Sequence, residues 1–343
     1  MTIDLGLDTF GDVTLGADGA PLPHDRVLRD VVEQGVIADQ AGVDFLGLGE
    51  HHRDDFAISS PEVVLAAIAA RTGRIRLGTA VTVLSSDDPV RLFQRFSTLD
   101  AISDGRAEIT LGRGSFTESF PLFGHELSDY EVLFEEKLDL FVRLLRDPEV
   151  TWQGRTRAAL DRQRVYPPLG PKGLRAMVGV GGSPESILRA VRHDLPMVLA
   201  IIGGDPRRFA PHADLYRRAC AEMGHKEHGL GVHSPGHVAE SDEIALEQLW
   251  PHYSALHNRL GGERGWPAMT EAQFRAEAAQ GSLYVGGPET VARRIAATAR
   301  TLGLARFALK YASGPMPHHQ LATSVRLYGE RVIPMVRDLL AGG

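Results

Sequence analysis

The sequence predicts an α/β fold, a (β/α)8 TIM barrel with inserted loops after strands 4 and 7. Short β-rich runs alternate with longer helical patterns, and eight strand-like runs occur within 343 residues. Right-handed crossovers of this kind close into a barrel when the count reaches eight at this chain length. An open doubly wound sheet stays the alternative, because periodicity alone does not separate the two architectures.

Each predicted strand is followed by a helical pattern, so residues 1–343 are expected to form one domain. The predicted strands are 3–7, 44–48, 75–84, 106–111, 175–180, 197–202, 230–238 and 305–311. The predicted helices are 25–41, 61–72, 89–102, 130–146, 184–192, 206–223, 244–260, 289–302 and 319–340.

Three insertions interrupt the alternation, near 114–129, 151–172 and 261–282. Each combines Gly or Pro with aromatic residues, among them Phe116, Tyr166 and Trp266. That mixture is more typical of a binding loop or a lid than of a solvated linker.

The helix at 61–72 is apolar on every side, which would leave apolar surface in water. A subunit contact would cover it, and we therefore expect a homodimer. Burial under one of the insertions is the alternative.

Composition narrows the function classes. The net charge is -7 and no segment gathers Lys and Arg, so nucleic acid is not the expected partner. The single cysteine, Cys220, is typical of a reducing compartment. No basic-then-apolar leader and no membrane-spanning apolar stretch is seen, so we expect a cytoplasmic protein that binds small molecules.

The first candidate site lies where the second strand runs into a charged turn, LGLGEHHR at 46–53. On an extended backbone His51 and His52 point in different directions, which disfavours one metal holding both. A histidine at a strand end can act as an acid or a base near neutral pH. The alternative is a histidine that only caps a turn.

Two further segments place small residues and a cation at strand ends. Gly78, Thr79 and Ala80 would let a flat ligand approach the backbone, or would simply relieve crowding inside a barrel. Arg113 lies between two glycines and could bind a phosphate or carboxylate in a bidentate manner, unless it is a surface arginine in a loop.

The fourth segment, VGVGGSPES at 178–186, ends a strand in glycines and starts a helix at Ser183 and Pro184. Amide groups and the helix dipole favour a phosphate there, and the hydroxyls of Ser183 and Ser186 add donors. The same residues are also an ordinary helix start, and the glycine pattern is not that of a dinucleotide site.

Taken in this order, the segments resemble the bacterial luciferase-like flavin monooxygenase family, also described as LLM class flavin-dependent oxidoreductases. The resemblance extends to LDAISDGR at 99–106 and GGPETVARRI at 286–295. It implies a barrel with FMN, or in some branches F420, at the C-terminal mouth. Gly112 stands where luciferase has a reactive cysteine, so light emission and long-chain aldehydes are not implied.

The resemblance also implies roles for single residues. His51 matches the histidine beside the reactive flavin carbon, where it would assist proton transfer. Ala80 and Val81 match the position of a non-prolyl cis peptide under the flavin ring in several members. Phosphate-contacting positions are matched by Arg113, Gly182, Ser183 and Ser186.

The leading hypothesis is a monooxygenase that uses reduced FMN, delivered by a separate flavin reductase, and O2 on a small organic substrate. Candidates for the substrate wall are Asp8, Phe10 and His233. The alternatives are an F420-dependent dehydrogenase on the same barrel, with His51 as the base, and a non-catalytic flavin-binding protein. No basic cluster for the polyglutamate tail of F420 is evident in the sequence.

Overall fold

Eight parallel strand positions form a ring in the computed structural model, which describes residues 3–114 and 116–342. The strands are β1 Asp4–Thr9, β2 Phe45–Leu48, β3 Arg76–Thr79, β4 Thr82–Val83, β5 Glu108–Gly112, β6 Val150–Trp152, β7 Leu160–Gln163, β8 Arg175–Val180, β9 Met197–Ala200, β10 Leu230–Val238, β11 Tyr284–Gly286 and β12 Leu304–Lys310. The order around the ring is β3, β2, β1, β12, β10, β9, β8, β5 and β4, where β3 and β4 share one position. The predicted barrel is confirmed.

The ring closes between β3 and β5. One parallel bridge joins Leu77 to Ala107. Beyond this bridge, hydrogen bonds of the Thr79 side-chain hydroxyl connect the two strands in place of backbone pairing. Thr79 Oγ1 donates to the carbonyl of Thr110 at 3.2 Å and accepts from the amide of Thr110 at 3.1 Å. A side chain therefore completes the wall of the barrel.

Helices surround the ring, and the apolar side chains between the two layers form the core. The helices are α1 His24–Ala41, α2 Pro61–Ala69, α3 Pro89–Ile102, α4 Ser119–Leu122, α5 Tyr130–Arg146, α6 Pro184–Arg192, α7 Ala210–Glu222, α8 Asp242–Arg264, α9 Glu271–Gln280, α10 Pro288–Leu302, α11 His318–Leu327 and α12 Ile333–Ala341. Leu5, Phe96 and Ile295 are fully buried there, and each such side chain contributes about 1.5–3 kcal/mol to folding. Within the described ranges, no helix has the length and apolar character to cross a membrane.

Local structure differs from the sequence-based expectation in a few places. The segment 151–172 contains the antiparallel hairpin of β6 and β7, and 261–282 holds the end of α8 and all of α9. The single helix expected at 319–340 is divided by a π-helical turn, Tyr328–Val332, just before Pro334. Proline has no amide hydrogen to donate, which interrupts regular α-helical bonding.

Helix α2 keeps part of its apolar surface in water. Leu65 and Ile68 are buried against the barrel, whereas the Val63 side chain stays 65% exposed. The inserted segments leave Val63 uncovered, so a contact with a second copy of the chain stays a prediction.

Charged side chains close the amino-terminal end of the ring. Arg306 pairs with Glu108 through both guanidinium nitrogens, and its guanidinium carbon lies 3.2 Å from the centroid of the Phe45 ring. Arg76 forms ion pairs with two carboxylates. Its Nη2 lies 2.7 Å from Asp4 Oδ2, and its Nε lies 3.5 Å from Glu108 Oε2. This ionic floor leaves the opposite, carboxyl-terminal end for binding.

Candidate active site

A cavity of about 900 Å³ opens at the carboxyl ends of the strands. Because all the ring strands run in parallel, their carboxyl ends meet at this one mouth. The sequence-predicted residues His51, Ala80, Val81, Arg113 and Ser186 all line it. So do the three candidates for the substrate wall, Asp8, Phe10 and His233.

His51 lies just beyond β2 in an aromatic surround and is 9% exposed. Its ring centroid is 4.7 Å from that of Phe10, 4.6 Å from that of Phe56 and 5.0 Å from that of Phe116. Its Nδ1 lies 3.5 Å from Oε1 of Glu118. The imidazole is thus held by a carboxylate on one side while its surroundings are apolar.

Glu118 is a site residue that sequence reasoning missed, since it belongs to the insertion near 114–129 and no motif marks it. Burial alone would raise the pKa of Glu118, but the hydrogen bond from His51 and backbone amides lower it below the usual value. Glu118 therefore stays ionised at neutral pH.

His52 has a separate carboxylate partner. Glu50 Oε1 lies 3.0 Å from His52 Nε2, and Glu50 Oε2 accepts from the amide of Val83 at 2.9 Å. Glu50 thereby ties the loop after β2 to β4. The two adjacent histidines contact different carboxylates, as the alternation of an extended backbone predicts.

The peptide bond between Ala80 and Val81 is cis, as the resemblance implies. Two glycines make room for the Val81 side chain. A Cβ at Gly112 would lie 2.3 Å from Val81 Cγ2, and one at Gly179 would lie 2.8 Å from Val81 Cγ1. These contacts explain why β5 and β8 carry glycine at those positions.

One end of the cavity carries an arginine and a helix start. Arg113 is at the end of β5, where its guanidinium carbon lies 5.0 Å from the ring centroid of Tyr130 and its Nη1 pairs with Glu131. Ser186, in the first turn of α6, lines the same cavity. An arginine and a helix N-terminus at one end of a cavity form an arrangement that can bind an anion.

Ser183 and Gly182, which were also expected to contact the phosphate, lie at the start of α6 but do not line the cavity. The Ser183 Oγ accepts from the Ser186 amide at 3.3 Å, and the Gly182 carbonyl accepts from Nε2 of His212 at 2.6 Å. Gly181, rather than Gly182, lines the cavity, and a Cβ built on Gly181 would meet no atom within 4 Å. The backbone at the end of β8 is thus uncovered towards the cavity.

Asp8 and His233 form a hydrogen-bonded pair in the opposite wall. Asp8 Oδ2 lies 2.8 Å from His233 Nδ1, and Asp8 is fully buried. The Phe10 ring is parallel to that of His233, with 6.3 Å between centroids. The sequence placed these three residues on one wall but gave no signal of the pairing.

A roof over the cavity comes from the end of α8 and the residues after it, including Leu260, Trp266 and Met269. Glu263 on α8 accepts two hydrogen bonds from Arg53, at 2.8 and 2.6 Å. Phe116 lies under both Arg53 and Arg264, at 4.9 and 4.8 Å from the ring centroid. These contacts join the roof to the loop after β2.

The family profile of luciferase-like monooxygenases matches residues 9–306. The chain belongs to this family. The family predicted from the sequence motifs is therefore confirmed, and the cavity residues named above fall within or next to the matched region.

Curated members of the family show how far the similarity reaches. The 4-hydroxyprotoasukamycin monooxygenase of Streptomyces nodosus subsp. asukaensis is 31% identical over 76% of this chain and 75% of that protein. The alkanal monooxygenase alpha chain of Photobacterium leiognathi is 25% identical over 92% and 95%. The corresponding chain of Photorhabdus luminescens is 25% identical over 69% of this chain, and the match spans less than two-thirds, 65%, of its length.

Several solved structures share the barrel. Monooxygenase RslO1 from Streptomyces bottropensis superposes with a TM-score of 0.83 at 24% identity, covering 97% of this chain and 99% of that one. The oxygenating constituent of 3,6-diketocamphane monooxygenase from Pseudomonas putida, in complex with FMN, gives 0.78 at 18% identity with the same coverage. An F420-dependent secondary alcohol dehydrogenase gives 0.73 at 18%, covering 98% and 100%. At these identities the likeness concerns the fold.

Proposed function

We propose that this family member is a flavin-dependent monooxygenase that binds reduced FMN and uses O2 to oxygenate a small organic substrate. The observation that carries the proposal is a single cavity with an anion-binding end, formed by Arg113 and the start of α6, and His51 in an aromatic surround. A mononucleotide has a terminal phosphate and a flat ring, which suit these two environments.

The donor set of the cavity suits FMN. Arg113, the Ser186 side chain and the amide of Glu185, the first N–H of α6 after Pro184, would hold the phosphate, while the uncovered backbone at Gly181 allows close approach. Ala80 and Val81 would support the ring, and His51 would hold or deliver a proton beside it. FMN, when bound and reduced, supplies the electrons for the reaction with O2.

FMN is favoured over F420 by the charge around Arg113. The neighbouring cations Arg189 and Arg192 are already paired with carboxylates, Arg189 with Glu131 and Glu135 and Arg192 with Glu135. Little uncompensated positive charge is therefore left next to Arg113 for the long anionic tail of F420. A separate flavin reductase, a homodimer and a cytoplasmic location belong to the same proposal.

Binding of FMN, reduced FMN and F420 to the purified chain tests the proposal. Arg113→Ala should raise the Kd for FMN at least about tenfold, because a hydrogen bond to a charged group contributes about 1.5–3 kcal/mol. Arg192→Ala is the matched control, since Arg192 is 55% exposed and does not line the cavity. Selective binding of F420, or equal FMN affinity in Arg113→Ala and wild type, would contradict it.

A further inference from the structure

The pair formed by Asp8 and His233 is a second acid-base group in the cavity, separate from His51. Asp8 is fully buried, and Oδ2 bonds to Nδ1 of His233 at 2.8 Å. The His233 side chain keeps 13% of its surface accessible and lines the cavity. In the described part of the chain, no hydrogen-bond partner is found for its Nε2, which leaves that nitrogen for a ligand.

The barrel brings the two residues together across an intervening strand. Asp8 is on β1 and His233 is on β10, while β12 pairs with both of them. In register with His233 on β12 is Ala308, which also lines the cavity. Because alanine has only a methyl side chain, the carboxylate and the imidazole can meet over it. A larger residue at 308 would stand between them.

A carboxylate bonded to one imidazole nitrogen makes the other nitrogen a better proton acceptor and stabilises the imidazolium that forms. Such a base fully ionises a bound hydroxyl only if that hydroxyl is weakly acidic, because imidazole takes the proton of an aliphatic alcohol only when another bond changes in the same step. Phenols and enols are the organic hydroxyl groups in the suitable range. The negative charge of Asp8 therefore contributes to the reaction when His233 takes up the substrate proton, because the carboxylate then faces a positively charged imidazolium.

The surrounding wall suits a flat substrate. Phe10 is parallel to His233 within 6° and contacts His51 as well. Phe56 and Phe116 extend this aromatic surface, and Trp266 lines the cavity under the roof. An aromatic or conjugated ring placed against Phe10 can present a hydroxyl to His233.

We propose that Asp8 and His233 form the substrate subsite, which binds the hydroxyl of a phenol or enol and removes its proton. The inference rests on the proposed function and names its substrate class. The substrate O–H bond breaks as a bond from Nε2 of His233 to the proton forms, and Asp8 stabilises the resulting imidazolium. The ionised oxygen makes the conjugated carbons electron-rich, which favours their attack on an electrophilic oxygen atom. His233 is the catalytic residue in this step and Asp8 the positioning residue.

Binding of 4-nitrophenol tests this subsite, since its absorbance distinguishes phenol from phenolate. The purified chain is titrated without flavin and then with FMN, and 4-nitroanisole, which has no hydroxyl, is the matched ligand. The wild type should bind 4-nitrophenol as the phenolate, lowering its apparent pKa by about one unit, which is a tenfold preference. The other charged or titratable groups that line the cavity are the same in every variant: Glu50, His51, His52, Arg113, Glu118, Tyr130, Tyr253, His257, Arg264, Glu277, Arg306 and Lys310.

His233→Gln should remove the phenolate preference while binding 4-nitroanisole and FMN as the wild type does. Asp8→Asn keeps the side-chain size and should lose most of the ionisation shift, a result that a purely structural role would not produce. If the wild type binds 4-nitrophenol only as neutral phenol, or does not bind it, or if His233→Gln retains the shift, the subsite is wrong. Failure to bind FMN would instead reject the proposed function, and the flavin-free titration separates the two outcomes.

Discussion

Arg113 and Arg189 bind opposite oxygens of one carboxylate, that of Glu131. Arg189 Nη2 lies 2.8 Å from Oε2, and Arg113 Nη1 pairs with Oε1. The end of β5 is in this way connected to the second turn of α6 through a residue at the start of α5. The shared carboxylate brings a negative charge next to the proposed phosphate position.

Glu131→Gln should therefore tighten FMN binding. The Glu131 side chain is 61% exposed, so its ion pairs contribute little to stability, whereas its charge opposes an incoming phosphate. We expect a decrease in Kd of about two- to fivefold at low salt, and less at high salt because of screening. Fluorescence titration at two salt concentrations measures both effects.

Glu149→Gln is the control for this change, since Glu149 pairs with Arg162 and Arg164 and does not line the cavity. Weaker FMN binding by Glu131→Gln would mean that the carboxylate mainly holds Arg113 in position.

His51→Gln should slow the reaction with oxygen while leaving FMN binding nearly unchanged. FMN affinity should stay within about twofold of the wild type, because the phosphate contacts are at the other end of the cavity. The oxygen reaction of the bound reduced flavin, followed by stopped-flow absorbance, should slow about 10²-fold, the lower range for loss of a general acid or base. His52→Gln, which loses the bond to Glu50 and the ring contact with Phe123, should react faster than His51→Gln. Equal rates in wild type and His51→Gln would remove the catalytic role.

Glu263→Gln should loosen the roof. Hydrogen bonds from Arg53 lower the pKa of Glu263, so the carboxylate is ionised and the pair is formed at neutral pH. We expect FMN to dissociate about two- to tenfold faster, while the free energy of unfolding changes by less than about 1 kcal/mol, because Glu263 is exposed and Arg53 keeps its pair with Asp55. Glu271→Gln breaks the ion pair with Arg275 on α9 and is the control. An unchanged dissociation rate would show that the roof does not retain FMN.

Acid should destabilise the fold through His237. Burial lowers the pKa of His237 to about 4, whereas in the unfolded chain it is about 6.5. Between these values the unfolded chain binds a proton that the folded chain does not, so stability is complete above pH 6.5 and is lost as the pH falls towards 4. The contribution is on the order of 3 kcal/mol.

Urea unfolding from pH 7 to pH 5 measures this effect. His237→Gln should show a shallower loss of stability than the wild type, whereas His24→Gln, at an exposed position, should follow the wild type. Parallel curves for wild type and His237→Gln would contradict the assignment.

Much of the fold could be read from the sequence, because alternation of strand and helix patterns is a local signal. The predicted barrel also indicated that His51, Arg113 and Ser186 lie around one cavity, because the carboxyl ends of parallel strands all lie at the same end of the barrel. Helix α9 could also have been predicted, because Thr270 and Gln273 form a capping box.

The partners of these residues were not predictable. Glu118 and Glu131 carry no motif, and each contacts a residue of another element. The pairing of Asp8 with His233 depends on β12 lying between β1 and β10, a neighbour relation that only the closed ring establishes.

The ionic floor restricts the path by which ligands enter and leave the cavity. Arg306, Glu108 and Arg76 obstruct the amino-terminal end of the barrel, so residues 3–114 and 116–342 leave ligands no second exit along its axis. Reactants and products must therefore pass through the mouth at the carboxyl ends of the strands, beneath the roof formed by the end of α8. We expect movement of this roof to set the upper limit on turnover.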